Sequence, residues 1–145
     1  QIPWGVLLLF GGGICLARAF IASGLSAEVG DALTLVTALP VFAMMLLLAL
    51  AVTFLTEATS NTATTALLMP VLVAVALAAQ IDPLWLIVPA ALSASCAFML
   101  PVATAPNSVV YGSGLVTTAR MAREGLLLNF LGAAVISVAC YVALG

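Results

Sequence analysis

Runs of apolar residues long enough to cross a bilayer make up almost the whole chain, and two of them are interrupted by polar clusters. A membrane-spanning helix needs about 20 mostly apolar residues. Residues 2–22 (IPWGVLLLFGGGICLARAFIA) meet that requirement, and further apolar runs fill 34–55, 66–79, 84–100 and 122–144. Hydrophobic residues make up 66% of the chain and charged ones 6%, against about 45–50% and about 25% in a soluble domain. No packing in water hides that much apolar surface. The sequence therefore reads as an all-α, multi-pass membrane protein with the lipid bilayer as its solvent, too short to hold a soluble domain as well.

The eight charges are Arg18, Glu28, Asp31, Glu57, Asp82, Arg120, Arg123 and Glu124, and most punctuate the ends of apolar runs. They form no basic face, so nucleic acid is excluded as a partner. Cys15, Cys96 and Cys140 stand singly and histidine is absent, which leaves no Cys/His metal site and no disulfide framework. The chain opens on Gln1 without the charged leader of a signal peptide and reads as part of a longer protein.

The order of apolar and polar segments suggests two parts. Residues 1–33 hold a spanning helix and then a mixed segment, 23–33, suited to a short interfacial helix. Residues 34–145 hold a hairpin (34–80), an interrupted helix (83–118) and a last span (120–145). Within the hairpin, ten polar residues, TEATSNTATT at 56–65, separate two apolar arms, and the returning arm looks short for a full crossing. A re-entrant hairpin is expected there. The run from Leu84 is expected to break at Pro101 and to restart after VATAPNS. Irregular backbone at membrane depth is tolerated only where it lines a polar cavity or is buried in protein, so this break asks for a ligand.

A hairpin tip and a broken helix are the means by which secondary transporters build midplane sites from half-helix ends. A half-helix N-terminus offers N–H donors and partial positive charge to an anion, and a C-terminus offers carbonyls to a cation. Thr56 and Ser60 lie four apart, on one helix face. With the Asn61 amide oxygen they form an all-oxygen set suited to a hard cation such as Na+. Asn61 and Thr62 begin the returning arm, where an anion would meet it. Thr104, Asn107 and Ser108 repeat the arrangement at the second break, between Pro101 and Pro106. Glu57 is an intramembrane carboxylate with no Lys or Arg nearby in sequence, a candidate for coupling or for a structural role. Gly11 to Gly13 suggest close helix approach rather than a hinge.

The segment ATSNTATTALLMP resembles the Ser-Asn-Thr hairpin motif of the divalent anion:sodium symporter family, sodium-coupled carriers of dicarboxylates, citrate or sulfate. SCAFMLPVATAPNSVVYGSG, residues 95–114, is similar to that family's signature, with Ser95, Phe98, Pro101 and Asn107 at its fixed positions. The resemblance implies the transport domain of an elevator carrier. It implies that Thr56, Ser60, Asn61 and the Ala103 carbonyl hold sodium, and that Asn61, Thr62, Thr104, Pro106 and Asn107 form the substrate side. It implies further a homodimer in the plasma (inner) membrane, and a missing N-terminal half of the same protein carrying a second, inverted hairpin. One departure is Ala105, where the family usually has proline.

Three rival readings remain at this stage. One is a related ion transporter of the arsenite or proton/sodium antiporter type, and another is a non-transporting structural membrane subunit. The third, an intramembrane enzyme, is disfavoured by the absence of histidine and of paired membrane aspartates.

Overall fold

The structure is a computed structural model and describes residues 4–25, 28 and 39–145. Every regular element among the described residues is helical. α1 is Trp4–Ala22, α2 Val41–Ala58, α3 Asn61–Ala78, α4 Leu84–Ser93, α5 Ala105–Gly112 and α6 Thr118–Leu144. Three of these, α2, α3 and α6, are long and apolar enough to cross a membrane. Most of the expected interfacial helix at 23–33 lies outside the described residues, as does the expected start of the hairpin at 34–38.

Local chemistry sets the helix ends. Pro40 stands at the N-cap of α2, where its missing N–H does no harm. Ser60, Thr104 and Thr117 cap α3, α5 and α6, each side chain accepting a backbone N–H of its helix's first turn. The α3 C-terminus closes in a Schellman motif: Ile81 N–H reaches the Ala76 carbonyl at 2.9 Å and Gln80 N–H reaches Leu77 at 3.2 Å. Gln80 holds the left-handed position, φ 56°. The motif swings Ile81 back onto the cluster of Met44, Ala76 and Leu86, so the turn is tied down by apolar contact as well.

Helices α2 and α6 run antiparallel. At one end Phe42 packs edge-on against Tyr141 with ring centroids 5.8 Å apart, and towards the other Phe54 meets Phe130 at 5.7 Å. α4 lies between them, with Trp85 beside Tyr141 and Ala90 and Ala94 against Val52. α3 covers this layer through Leu68, Met69 and Leu72. α1 then packs on α3, and the contact needs glycine. A Cβ on Gly13 would lie 2.5 Å from the Ala66 carbonyl oxygen, while Gly11 and Gly12 face open space. Close approach therefore explains one glycine of the three. On α6, Met121, Gly125, Asn129, Ala133, Ser137 and Cys140 form the buried stripe, and Leu127, Val135 and Val142 point outward. A helix apolar on its outer face as well as its packed face is one made for lipid or for a further helix layer.

Three expectations need correction. The polar tip is two residues, Thr59 and Ser60, because Thr56–Ala58 complete α2 and Asn61–Thr65 open α3. Polar residues at helix ends find caps and partners there, so a polar run need not be a loop. The arms α2 and α3 are each 18 residues long, so the expected inequality of arm length is not seen. The break in the second run comes at Ser93, well before Pro101. Residues 94–104 leave the helix because their donors and acceptors find other partners, described next.

Candidate functional site

A cavity of about 600 Å³ opens between the hairpin tip and the broken helix. Its wall is Glu57, Ala58, Thr59, Ser60, Asn61 and Thr62 on one side, and Val102, Ala103, Thr104, Ala105 and Ser108 on the other. The C-terminus of α2 and the N-termini of α3 and α5 therefore meet at one place. Carbonyl ends and N–H ends side by side suit a cation and an anion together.

At the start of α3, Ser60 takes the N–H groups of Ala63 through its hydroxyl and of Thr64 through its carbonyl. The donors left in that turn belong to Asn61 and Thr62, both on the cavity wall. At the start of α5, Thr104 takes the N–H of Asn107 at 3.3 Å and that of Ser108 at 3.1 Å. Thr104 is extended, φ −141° and ψ 156°, the conformation of an N-cap.

Beneath the tip lies an oxygen cluster. Thr56 is fully buried, and its hydroxyl lies 2.6 Å from Asn61 Oδ1 and 2.9 Å from the Ala94 carbonyl. A hydroxyl carries one proton. It donates to one of these oxygens, the Ala94 carbonyl or the Asn61 amide oxygen, and its own lone pairs remain open to a further donor or a hard cation. Thr59 adds a hydroxyl pairing with Thr64 at 2.6 Å and a bond to the Leu55 carbonyl at 2.9 Å.

The loop of residues 94–104 is held by side chains. Asn107 Nδ2 donates to the carbonyls of Ala97 (2.9 Å) and Leu100 (3.0 Å), and Ser108 Oγ donates to Pro101 at 2.6 Å. From the other side, Glu57 accepts the N–H groups of Phe98 (2.7 Å), Met99 (2.8 Å) and Leu100 (3.0 Å), and the Asn129 amide at 2.8 Å. These bonds replace the helical ladder and explain why α4 can stop at Ser93.

Of the residues expected at the site, Ser60, Asn61, Thr62, Ala103, Thr104 and Glu57 line the cavity. Thr56 sits one layer below, in contact with Asn61. Pro106 and Asn107 are off the wall: Pro106 is exposed on the first turn of α5, and the Asn107 amide stitches the loop. Sequence reasoning missed Asn129, fully buried on α6. The available signal was a lone amide in the apolar run LLLNFLG, since polar groups at membrane depth are costly unless used.

A family model described as "Sodium:sulfate symporter transmembrane region" matches residues 1–143. The chain is similar to "Sodium-dependent dicarboxylate transporter SdcS" of Staphylococcus saprophyticus, 44% identical over 141 residues that cover 97% of this chain and 27% of that protein. It is similar to "Solute carrier family 13 member 2" of Mus musculus, 46% identical over 138 residues, 95% of this chain and 24% of that protein. The Homo sapiens protein of the same name is 43% identical over 139 residues, 96% of this chain and 24% of that protein. The chain thus spans about a quarter of the length of the curated relatives it matches.

Proposed function

The chain belongs to the sodium:sulfate symporter family, and on that premise we propose that it is the C-terminal transport-site half of a sodium-coupled carrier for a divalent anion: a dicarboxylate, citrate or sulfate. The observation that carries this reading is the convergence of the α3 and α5 N-termini, with the α2 C-terminus, on one cavity. The N–H ends attract an anion and the neighbouring oxygens attract a cation, so each charge stabilises the other where neither is solvated by bulk water.

Thr56, Ser60 and Asn61, with the Ala103 carbonyl, are the sodium ligands in this proposal. Asn61, Thr62 and Thr104 contact the anion, while Asn107 and Pro106 hold the loop that presents Thr104. Asn61 belongs to both sets. Sodium on its amide oxygen fixes the orientation of the side chain and so prepares the anion's contact. Linkage requires the anion to strengthen sodium binding by the same factor.

It is an integral membrane protein, and in this reading it resides in the plasma (inner) membrane. Residues 34–145 form half of an elevator-type transport domain and residues 1–33 its scaffold side and connector. The α2–α3 hairpin is re-entrant, its tip buried in the carrier by the N-terminal half, and the whole protein is a homodimer. What supports re-entrance is the end of α2 just before the tip: Thr56 and Glu57 are buried there, Glu57 on the cavity wall and Thr56 bonded to Asn61, rather than turned to water. The names of the relatives favour a dicarboxylate over sulfate.

The test is uptake by the full-length protein in proteoliposomes. Labelled succinate should accumulate under an inward sodium gradient and not under a potassium gradient, with citrate and sulfate as competitors. Equal uptake in both salts would overturn sodium coupling; no accumulation of succinate, together with no accumulation of labelled citrate or sulfate, would overturn the substrate class.

A further inference from the structure

We infer that Glu57 is a positioning residue: its carboxylate serves as a built-in anion that fills the N–H cradle of the broken helix and locks hairpin tip, loop and last span into one body. The geometry is specific. Three successive backbone N–H groups, of Phe98, Met99 and Leu100, point at one carboxylate 41 to 43 residues away, at 2.7, 2.8 and 3.0 Å. Successive backbone donors of this kind form an anion-binding concavity. A substrate anion would suit it equally well, but the chain's own carboxylate, only 5% exposed, occupies it.

A second observation is independent of the loop. Asn129 is completely buried on α6, and the one hydrogen bond of its side chain among the described residues is the donation to Glu57 Oε1 at 2.8 Å, with Oδ1 left unpartnered. An amide in the middle of an apolar helix is accounted for by Glu57 alone. One turn earlier on the same face, Gly125 lies so close to the Phe98 carbonyl that a Cβ would collide with it. α6 is therefore pressed onto the same stretch of backbone that Glu57 holds.

The consequence concerns where substrate can bind. With the 98–100 donors taken, the anion is left the α3 and α5 N-termini, and Ala103 and Thr104 are held at a fixed distance from Ser60 and Asn61. Glu57 thus acts on both ions through the loop, without being a ligand of either. Ionised carboxylate is the matching group because all four partners are donors. In Glu57→Gln, Oε1 can still accept from Phe98 and Met99, but Nε2 then faces the Leu100 N–H, donor against donor.

The experiment uses the full-length protein with its native cysteines replaced and a cysteine pair at Ala58 and Val102, on opposite walls of the cavity. Cross-linking by a short bifunctional thiol reagent reports the wall-to-wall distance, and sodium-driven succinate uptake reports function. The uptake arm alone rests on the transport reading; if the parent does not transport, that reading fails while the cross-linking arm still tests the clamp. The parent should cross-link at one rate with or without sodium. Glu57→Gln should slow cross-linking in the absence of sodium and raise the half-saturating sodium concentration about ten- to a hundredfold, the effect of one charge-assisted contact. Glu57→Asp, which keeps the charge, should recover part of both. Parent-like behaviour of Glu57→Gln in both arms overturns the proposal, and so does lost uptake with unchanged cross-linking, since Glu57 would then act on the ions directly. Should Glu57→Gln fail to reach the membrane, Asn129→Leu decides: a slower cross-link and a several-fold rise in half-saturating sodium support the clamp, and parent values overturn it.

Discussion

Gly125→Ala adds one methyl group to the last span and should damage a site to which Gly125 contributes no chemistry. The new Cβ would lie 2.7 Å from Met99 Cα and would strike the Phe98 carbonyl. Carbon atoms pack at about 3.5–4.0 Å, so α6 and the loop must part by about 1 Å. That movement draws the N–H groups of Phe98, Met99 and Leu100 away from Glu57, where they now sit at 2.7 to 3.0 Å. The overpacking costs about 1–3 kcal/mol, and weakening bonds to a charged group adds a further part of about 1.5–3 kcal/mol each. A total of about 2–4 kcal/mol is expected. Gly132→Ala is the control, because its Cβ would meet only Cys96 Sγ and Phe98 Cε2 at 3.9 Å, ordinary contact distance. Thermal unfolding of the full-length protein in detergent reads the difference. Gly125→Ala should melt several degrees below the parent and Gly132→Ala at or above it. Equal melting of the two variants would refute the claim that α6 bears on the loop backbone at Gly125.

The remaining predictions address the cavity wall and its turns. Asn61→Ala and Ser60→Ala, inserted normally into the membrane, should raise the half-saturating sodium concentration about ten- to a hundredfold in uptake assays; sodium dependence unchanged in both would remove them from the site. Thr104→Val deletes the cap of α5, a loss of about 1 kcal/mol, and should raise the half-saturating succinate concentration, whereas parent-like saturation would make the loop purely structural. Ala105→Pro should leave the melting temperature unchanged or slightly higher, because Thr104 is already extended and Pro fits the first helical position, but it deletes the α5 N–H that Thr104 does not take and should raise the half-saturating succinate concentration. A collapse of expression in that variant would show that the backbone at the break differs from the one described.

Local chemistry made much of this fold readable in the sequence. Apolar run lengths give α1, α2 and α6, and the polar clusters at 56–65 and 104–108 supply both walls of the cavity. The extent of the tip was misread because Thr56, Asn61 and Thr62 look like loop residues in isolation, yet each sits at a helix end. The break was misplaced for a different reason. Pro101 is the visible helix breaker, but what ends α4 at Ser93 is the supply of alternative partners for residues 97–100, from Glu57, 41 residues back, and Asn107, farther on. No local pattern encodes such pairings. The Asn129–Glu57 bond spans 72 residues and is invisible until the helices are packed. A buried carboxylate with no nearby cation asks for a partner, and here the partner is mostly backbone.

The central claim, that sodium and a divalent anion share this cavity, is tested most directly by labelling a cysteine placed at Ala58, on the cavity wall, in the full-length protein whose native cysteines have been replaced. A small thiol reagent is applied with sodium alone, succinate in potassium, and sodium with succinate. The account predicts that labelling slows sharply only when sodium and succinate are both present, since each ion completes the site of the other. Equal labelling rates in all three conditions would contradict it.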